Sequence, residues 1–286
     1  MNPANIGNIG RGLVRPEGVM CDRDGTIFAA DARGMVARVA PDGRVEFHGD
    51  LGGAPNGLCL DGQGGCIVAN IGAGMVQLLK PDGTHDVLFT QAEGRSVTTP
   101  NFPCLDSRGR LWVSNSTQRE DVEDALRRPA PDGAVILYED GRALIAAEGI
   151  MFANGLALDE REEYLYVAAT MERAIIRFGI GPDGRLRDRR PYGPVPLARL
   201  GFPDGVAFDE AGNLWVTFPA WNAVGYITPD QELKIVIHDP AHMVLGRPTN
   251  ICFGWEKRQT AFIGSLDGRS IPFFQVDVPG LGLRHQ

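Results

Sequence analysis

No apolar run in this chain approaches the 18 residues that cross a bilayer as a helix, and Met1-Asn2-Pro3-Ala4-Asn5 has no apolar signal core. The expectation is a protein of the reduced cytoplasm with no membrane partner. Cysteine is sparse and odd in number, five residues at 21, 59, 66, 104 and 252, and no pair has zinc-knuckle or CxxC spacing. Cys21, Cys59, Cys104 and Cys252 fall in short apolar segments, so buried free thiols are expected. The five histidines, at 48, 85, 238, 242 and 285, form no ligand spacing, and only His242, on an insertion, is a candidate to face a pocket. A Gly-Xaa-Ser-Xaa-Gly nucleophile elbow is missing, as is a phosphate-binding loop. Basic residues are outnumbered 28 to 36, for a net charge of −8, and cluster only at Arg127-Arg128 and between Arg187 and Arg190. That distribution offers no phosphate-tracking stripe, which argues against nucleic acid as a partner.

What the chain does have is turns and a repeat. Its 37 Gly and 20 Pro show no period of three, and 43% of its 286 residues are hydrophobic, enough for a sizeable core. One all-β domain over 1–286 accounts for that length. Pro100-Asn101-Phe102-Pro103-Cys104-Leu105-Asp106 leads through Ser107-Arg108-Gly109-Arg110 into Leu111-Trp112-Val113-Ser114. Pro203-Asp204-Gly205-Val206-Ala207-Phe208-Asp209 leads through Glu210-Ala211-Gly212-Asn213 into Leu214-Trp215-Val216-Thr217 in the same register. Each is an oxygen-bearing side chain, a short apolar strand, an Asp-led turn with Gly and a second strand. The unit recurs at Glu17-Gly18-Val19, Asn56-Gly57-Leu58, Asn154-Gly155-Leu156 and, more loosely, Asn250-Ile251-Cys252, in steps of 39, 45, 53, 50 and 46 residues. This is the period of propeller blades. The fold expected is a six-bladed β-propeller with four antiparallel strands per blade. An N-terminal strand from the Ile6 to Val14 region would close the ring, since the last unit runs out of chain.

Pro-Asp-Gly at Pro41, Pro81, Pro131 and Pro182 is expected to turn the third strand of a blade into its fourth. Asn-Gly and Asp-Gly are hairpin signals too, so Asn56, Asn154 and Asp204 have a competing reading as turn formers. Against it, Glu17-Gly18 and Asn101-Phe102 hold the same slot and neither pair favours a hairpin. Two insertions break the rhythm, at about 118–130, where Val122, Ala125 and Leu126 are spaced for a short amphipathic helix, and at about 239–248.

Six inner strands around a shaft would bring Glu17, Asn56, Asn101, Asn154, Asp204 and Asn250 together. Two carboxylates and four amides make a hard-oxygen shell suited to Ca²⁺, with Mg²⁺ or Mn²⁺ as alternatives. Without a cation, Glu17 and Asp204 would repel unless one were protonated. A hydrogen-bonded polar plug without metal is the competing reading.

Pro16-Glu17-Gly18, Asn101 ahead of Asp106-Ser107-Arg108-Gly109-Arg110-Leu111, Ala153-Asn154-Gly155-Leu156-Ala157 and Pro203-Asp204-Gly205-Val206-Ala207 together resemble the gluconolactonase / senescence marker protein / luciferin-regenerating enzyme family. The resemblance implies a six-bladed propeller with a divalent ion in its tunnel, Ca²⁺ first and Zn²⁺, Mn²⁺ or Mg²⁺ as alternatives. It implies a lactone-opening hydrolase acting on a small molecule, with Glu17, Asn154 and Asp204 as direct ligands and Asn101 as a ligand or a substrate-orienting neighbour. Asp204 would activate water; in a phosphotriesterase version it would attack phosphorus itself. Asn56, Asn101, Thr99, Phe102 and Phe152 are the expected substrate contacts. One departure is informative: the sugar lactonases tend to have Arg-Phe-Asn-Asp where this chain reads Thr99-Pro100-Asn101-Phe102. Thr99 takes the Arg slot, which points away from a polyhydroxylated lactone and toward a less polar one. A non-catalytic, metal-stabilised ligand-binding propeller remains the reading from a different class.

Overall fold

The computed structural model describes residues 6–283. Six four-stranded antiparallel sheets follow one another around a ring. Blade 1 is Val19–Cys21, Ile27–Asp31, Met35–Val39 and Val45–His48; blade 2 is Pro55–Leu60, Cys66–Asn70, Met75–Leu79 and His85–Phe89. Blade 3 is Pro100–Leu105, Leu111–Asn115, Gly133–Glu139 and Arg142–Ile150; blade 4 is Ala153–Leu158, Tyr164–Ala169, Ala174–Ile180 and Leu186–Tyr192. Blade 5 is Val206–Phe208, Leu214–Phe218, Ala223–Ile227 and Leu233–His238. Blade 6 takes Pro248–Gly254, Thr260–Ser265 and Ile271–Gln275 from the end of the chain and Gly7–Ile9 from its start. Gly7 pairs Phe273 and Ile9 pairs Ile271, so the expected N-terminal strand closes the ring on the outer edge of the last blade.

The repeat has a mechanical cause at both ends of its first strand. At the far end, the Asp of the turn collects the next hairpin. Asp209 accepts from the backbone N–H of Ala211 (3.0 Å) and Asn213 (2.9 Å), and its other oxygen accepts from the Trp215 indole N–H at 2.9 Å. Asp106 repeats this with Arg108, Arg110 and Trp112, and adds the buried Arg110 guanidinium at 2.6 Å. At the near end, the glycines after the lead residues are not turn glycines, because none of Gly18, Gly57, Gly155 and Gly205 has a positive φ. They are sites of close approach. A Cβ on Gly57 would lie 2.4 Å from the Asn101 carbonyl oxygen, and one on Gly155 would lie 2.4 Å from that of Asp204. Glycine therefore stands where adjacent inner strands touch, and the hairpin reading of these motifs falls.

Two expectations are corrected or sharpened. Pro41, Pro81 and Pro182 do turn third strands into fourth strands, but Pro131 does not. It lies between the second and third strands of blade 3, because the insertion lengthens that connection and Asp132 instead ties it down by accepting from the Thr117 hydroxyl at 2.9 Å. The insertion does contain a helix, Val122–Arg127, capped by Asp121, but only its Ala125 is buried. None of the five cysteines forms a disulfide, and only Cys104 is partly exposed. Among the described residues no helix is long and apolar enough to cross a membrane.

Candidate functional site: the polar end of the shaft

The inner strands all run outward from the lead residue, ending in an Asp turn in blades 1 to 5 and at Trp255 in blade 6, so the lead residues gather at one end of the shaft. Glu17, Asn56, Asn101, Asn154 and Asn250 are buried there, and Asp204 is half-buried. The other end is mainly apolar, with Asp159, Glu160 and Glu162 also in its lining. A cavity of about 200 Å³ there is lined by strand ends such as Leu60, Leu105, Leu158 and Phe208 and by Leu281 of the C-terminal segment.

Each lead residue is held by named bonds. The Thr249 hydroxyl donates to the Glu17 carbonyl at 2.8 Å. Asp204 N–H donates to the Thr217 carbonyl at 3.0 Å, and Gly205 N–H to the Thr217 hydroxyl at 2.9 Å. Asn154 Nδ2 donates to Thr170 Oγ1 at 3.2 Å, and that hydroxyl donates to the Pro203 carbonyl at 2.8 Å. The nitrogen of Asn154 is thus committed and its amide oxygen is left for the shaft. Thr170 is a functional neighbour that the sequence reading missed. Its counterpart in blade 3, Ser116, donates to the carbonyl of Ala153, again the residue before the next lead residue, at 2.9 Å.

The Asn56 amide bridges two other lead residues. One end lies 3.1 Å from Asn101 Oδ1, and the other lies 2.8 Å and 3.1 Å from the two Glu17 carboxylate oxygens. With nitrogen toward Asn101, its oxygen accepts from the Arg15 guanidinium at 3.4 Å. Turned about, it donates to Glu17; the choice is one of amide orientation. Arg15 is ion-paired with Glu17 either way. Asn250 differs from the others. Its Oδ1 accepts from Val19 N–H at 3.0 Å and its buried Nδ2 has no partner, so it presents a donor rather than an oxygen ligand.

Burial raises the Glu17 carboxyl above its ordinary range, opposed by the Arg15 charge and a hydrogen bond from Asn56. Asp204 is pushed well above its ordinary range, first by burial and then by the negative charge of Glu17. The two acids feel each other, as the axial arrangement requires. Among the described residues no trio of His, Cys, Asp or Glu converges, so any cation here is held by two carboxylates and amide oxygens. The set suits a hard cation: two mutually repelling acids and the free oxygen of Asn154, with Asn101 beside them.

The expected substrate contacts divide. Asn56 and Asn101 stand at the polar end. Thr99 is buried with its hydroxyl donating to the Thr117 carbonyl (2.7 Å) and accepting from Thr117 N–H (2.8 Å), a bond pair internal to blade 3. Phe102 packs with Trp112 and Leu156 and lines the apolar end of the shaft, away from the acids. Phe152 is buried, with φ 63°, and its carbonyl accepts from Thr170 N–H at 3.1 Å. His242 lies exposed on the second insertion.

Comparison with known proteins agrees with this architecture. A 6-deoxy-6-sulfogluconolactonase of Pseudomonas putida is 28% identical over 205 residues, 71% of this chain and 66% of that protein. A gluconolactonase of Zymomonas mobilis is 29% identical over 226 residues, 73% of this chain and 60% of its own length. Diisopropyl-fluorophosphatase of Loligo vulgaris is 24% identical over 241 residues, 81% of this chain and 74% of that protein. A solved gluconolactonase of Xanthomonas campestris superposes with a TM-score of 0.77 at 24% identity, covering 96% of this chain and 89% of its own, and shares the fold. So does regucalcin of Agrobacterium tumefaciens, a calcium-binding protein, with a TM-score of 0.73 at 15% identity over 96% of this chain and 95% of its own. Residues 85–267, well over half of the chain, match the SMP-30/Gluconolactonase/LRE-like region, and the protein belongs to that family.

Proposed function

We propose that this protein is a divalent-ion-dependent hydrolase that opens a lactone ring at the polar end of its shaft. The observation that carries the reading is the meeting of Glu17 and Asp204 beside the free amide oxygen of Asn154, in a family whose relatives include named lactonases. Glu17, Asn154 and Asp204, with Asn101, would hold the ion, which when bound supplies a Lewis acid for the carbonyl oxygen. The chain's own residues do the rest. Asp204 accepts the proton of the attacking water. Thr170 fixes the Asn154 amide, and Asn56 links Glu17 to Asn101, so the oxygens keep their places without rearrangement. Thr99 spends its hydroxyl inside blade 3, so no side chain at that slot grips substrate hydroxyls, which favours a lactone less polar than a sugar acid's.

The similarity to diisopropyl-fluorophosphatase, which covers 81% of the chain, supports a second reading in which Asp204 attacks phosphorus. The test is hydrolysis of a lactone panel and a fluorophosphate by purified protein, before and after chelation, with Ca²⁺, Mn²⁺, Mg²⁺ and Zn²⁺ restored one at a time. Lactone turnover that chelation abolishes and one ion restores is the expected result. Turnover indifferent to chelation would overturn the reading.

A further inference from the structure

The polar end of the shaft holds a positive charge of its own. Arg15 stands two residues before Glu17 with its backbone in the left-handed region (φ 51°), directly ahead of Pro16. A residue before proline is driven toward extended conformations, so the surrounding structure keeps this side chain where it is against a local preference. Its guanidinium is ion-paired with Glu17 Oε2 and lies beside the Asn56 amide. Only a third of the side chain is exposed. The other arginine whose charge reaches Glu17, Arg247, has its fork taken by Asp267 at 2.7 Å and 2.8 Å. Arg15 therefore does for the Glu17 carboxylate what a bound cation would do, placing a positive charge against it.

A guanidinium and a divalent ion cannot share one edge of a carboxylate, because both are positive and each needs the same lone pairs. We propose that Arg15 is a built-in counter-ion that a divalent cation must displace from Glu17, and that this exchange sets the cation affinity of the shaft. The inference rests on the reading of the shaft as an ion site. It assigns Arg15 a positioning role rather than a catalytic one. The ion-free protein keeps its buried carboxylate paired, and part of the binding free energy of the ion goes into breaking that pair.

The test is titration calorimetry of chelator-stripped, full-length protein with Ca²⁺ and Mn²⁺, for the native chain, Arg15→Gln and Arg15→Lys. Arg15→Gln removes the competing charge and should bind the ion roughly tenfold more tightly or better, while Arg15→Lys, which keeps the charge, should gain little. Thermal unfolding gives a second readout. Without ion, Arg15→Gln should melt below the native protein, because Glu17 is left buried without a cation, and ion addition should raise its Tm by more than it raises that of the native protein. If Arg15→Gln folds only with ion present, its rate of ion release to a chelator is read instead, and slower release than native is expected. A native chain that binds the ion while Arg15→Gln binds equally or more weakly, or releases it as fast, overturns the counter-ion role alone. Binding by neither chain overturns the ion site, and the proposal with it.

Discussion

Thr170 offers the sharpest perturbation of the site, because it touches no expected ligand oxygen and aims one. Its hydroxyl accepts from Asn154 Nδ2 at 3.2 Å and donates to the Pro203 carbonyl, the residue before Asp204, at 2.8 Å. Thr170→Val keeps the shape and removes both bonds, so no cavity forms and the cost is that of two orphaned buried polar groups. At about 1–3 kcal/mol for each such group, the variant should lose roughly 2–6 kcal/mol of stability. For a chain of this size that is a fall in Tm of roughly 3–10 °C. The Asn154 amide is then free to turn its nitrogen toward the shaft. Loss of an outer bond that orients a ligand typically weakens metal affinity by about 10–100-fold. Thr170→Ser keeps the hydroxyl and should recover most of both losses. Thermal unfolding and calorimetry of the three proteins check this together. A Thr170→Val protein that binds the ion as tightly as native would refute the claim that Thr170 points the Asn154 oxygen at the shaft.

Further outcomes follow from the same geometry. Asp204→Asn removes both the base and half of the like-charge pair, so hydrolysis should drop by about 10²–10⁴-fold, read from initial rates. The same variant should melt higher than native without ion, read from thermal scans with chelator. The pH dependence has a definite sign. Glu17 and Asp204 are raised above their ordinary values of 4.5 and 3.8, so the fold holds these protons more tightly than the unfolded chain does. Their contribution to ion-free stability is complete below those ordinary values and is lost as pH rises through the raised ones. Denaturant unfolding across that range, with and without ion, should show the loss in the ion-free protein and its suppression when the ion is present.

The ring was legible in the sequence because its constraints repeat. A glycine follows Asn56 and Asn154 where the next inner strand would collide with a Cβ, and Asp106 and Asp209 collect the turn and the following tryptophan in the same way. Four of the six lead residues carry such a glycine, and five of the six inner strands end in such an Asp. What stayed hidden does not recur. Thr170 and Ser116 hold equivalent places with different residues, and Arg15 lies just outside the motif that it neutralises. Phe102 was expected beside the acids because it adjoins Asn101, yet its ring packs on Trp112 and Leu156 and lines the apolar end of the shaft. Pro131 copied the outer-turn signature but was displaced by the insertion before it. Asn250 kept the lead position while giving its oxygen to Val19, a commitment that only the neighbouring blade reveals.

The most direct test of the ion site is anomalous diffraction from crystals grown with Mn²⁺. One site within about 2.6 Å of carboxylate oxygens of Glu17 and Asp204 and the amide oxygen of Asn154 is the expected result. An ion bound elsewhere, or a shaft in which the Arg15–Glu17 pair persists at saturating Mn²⁺, would contradict it.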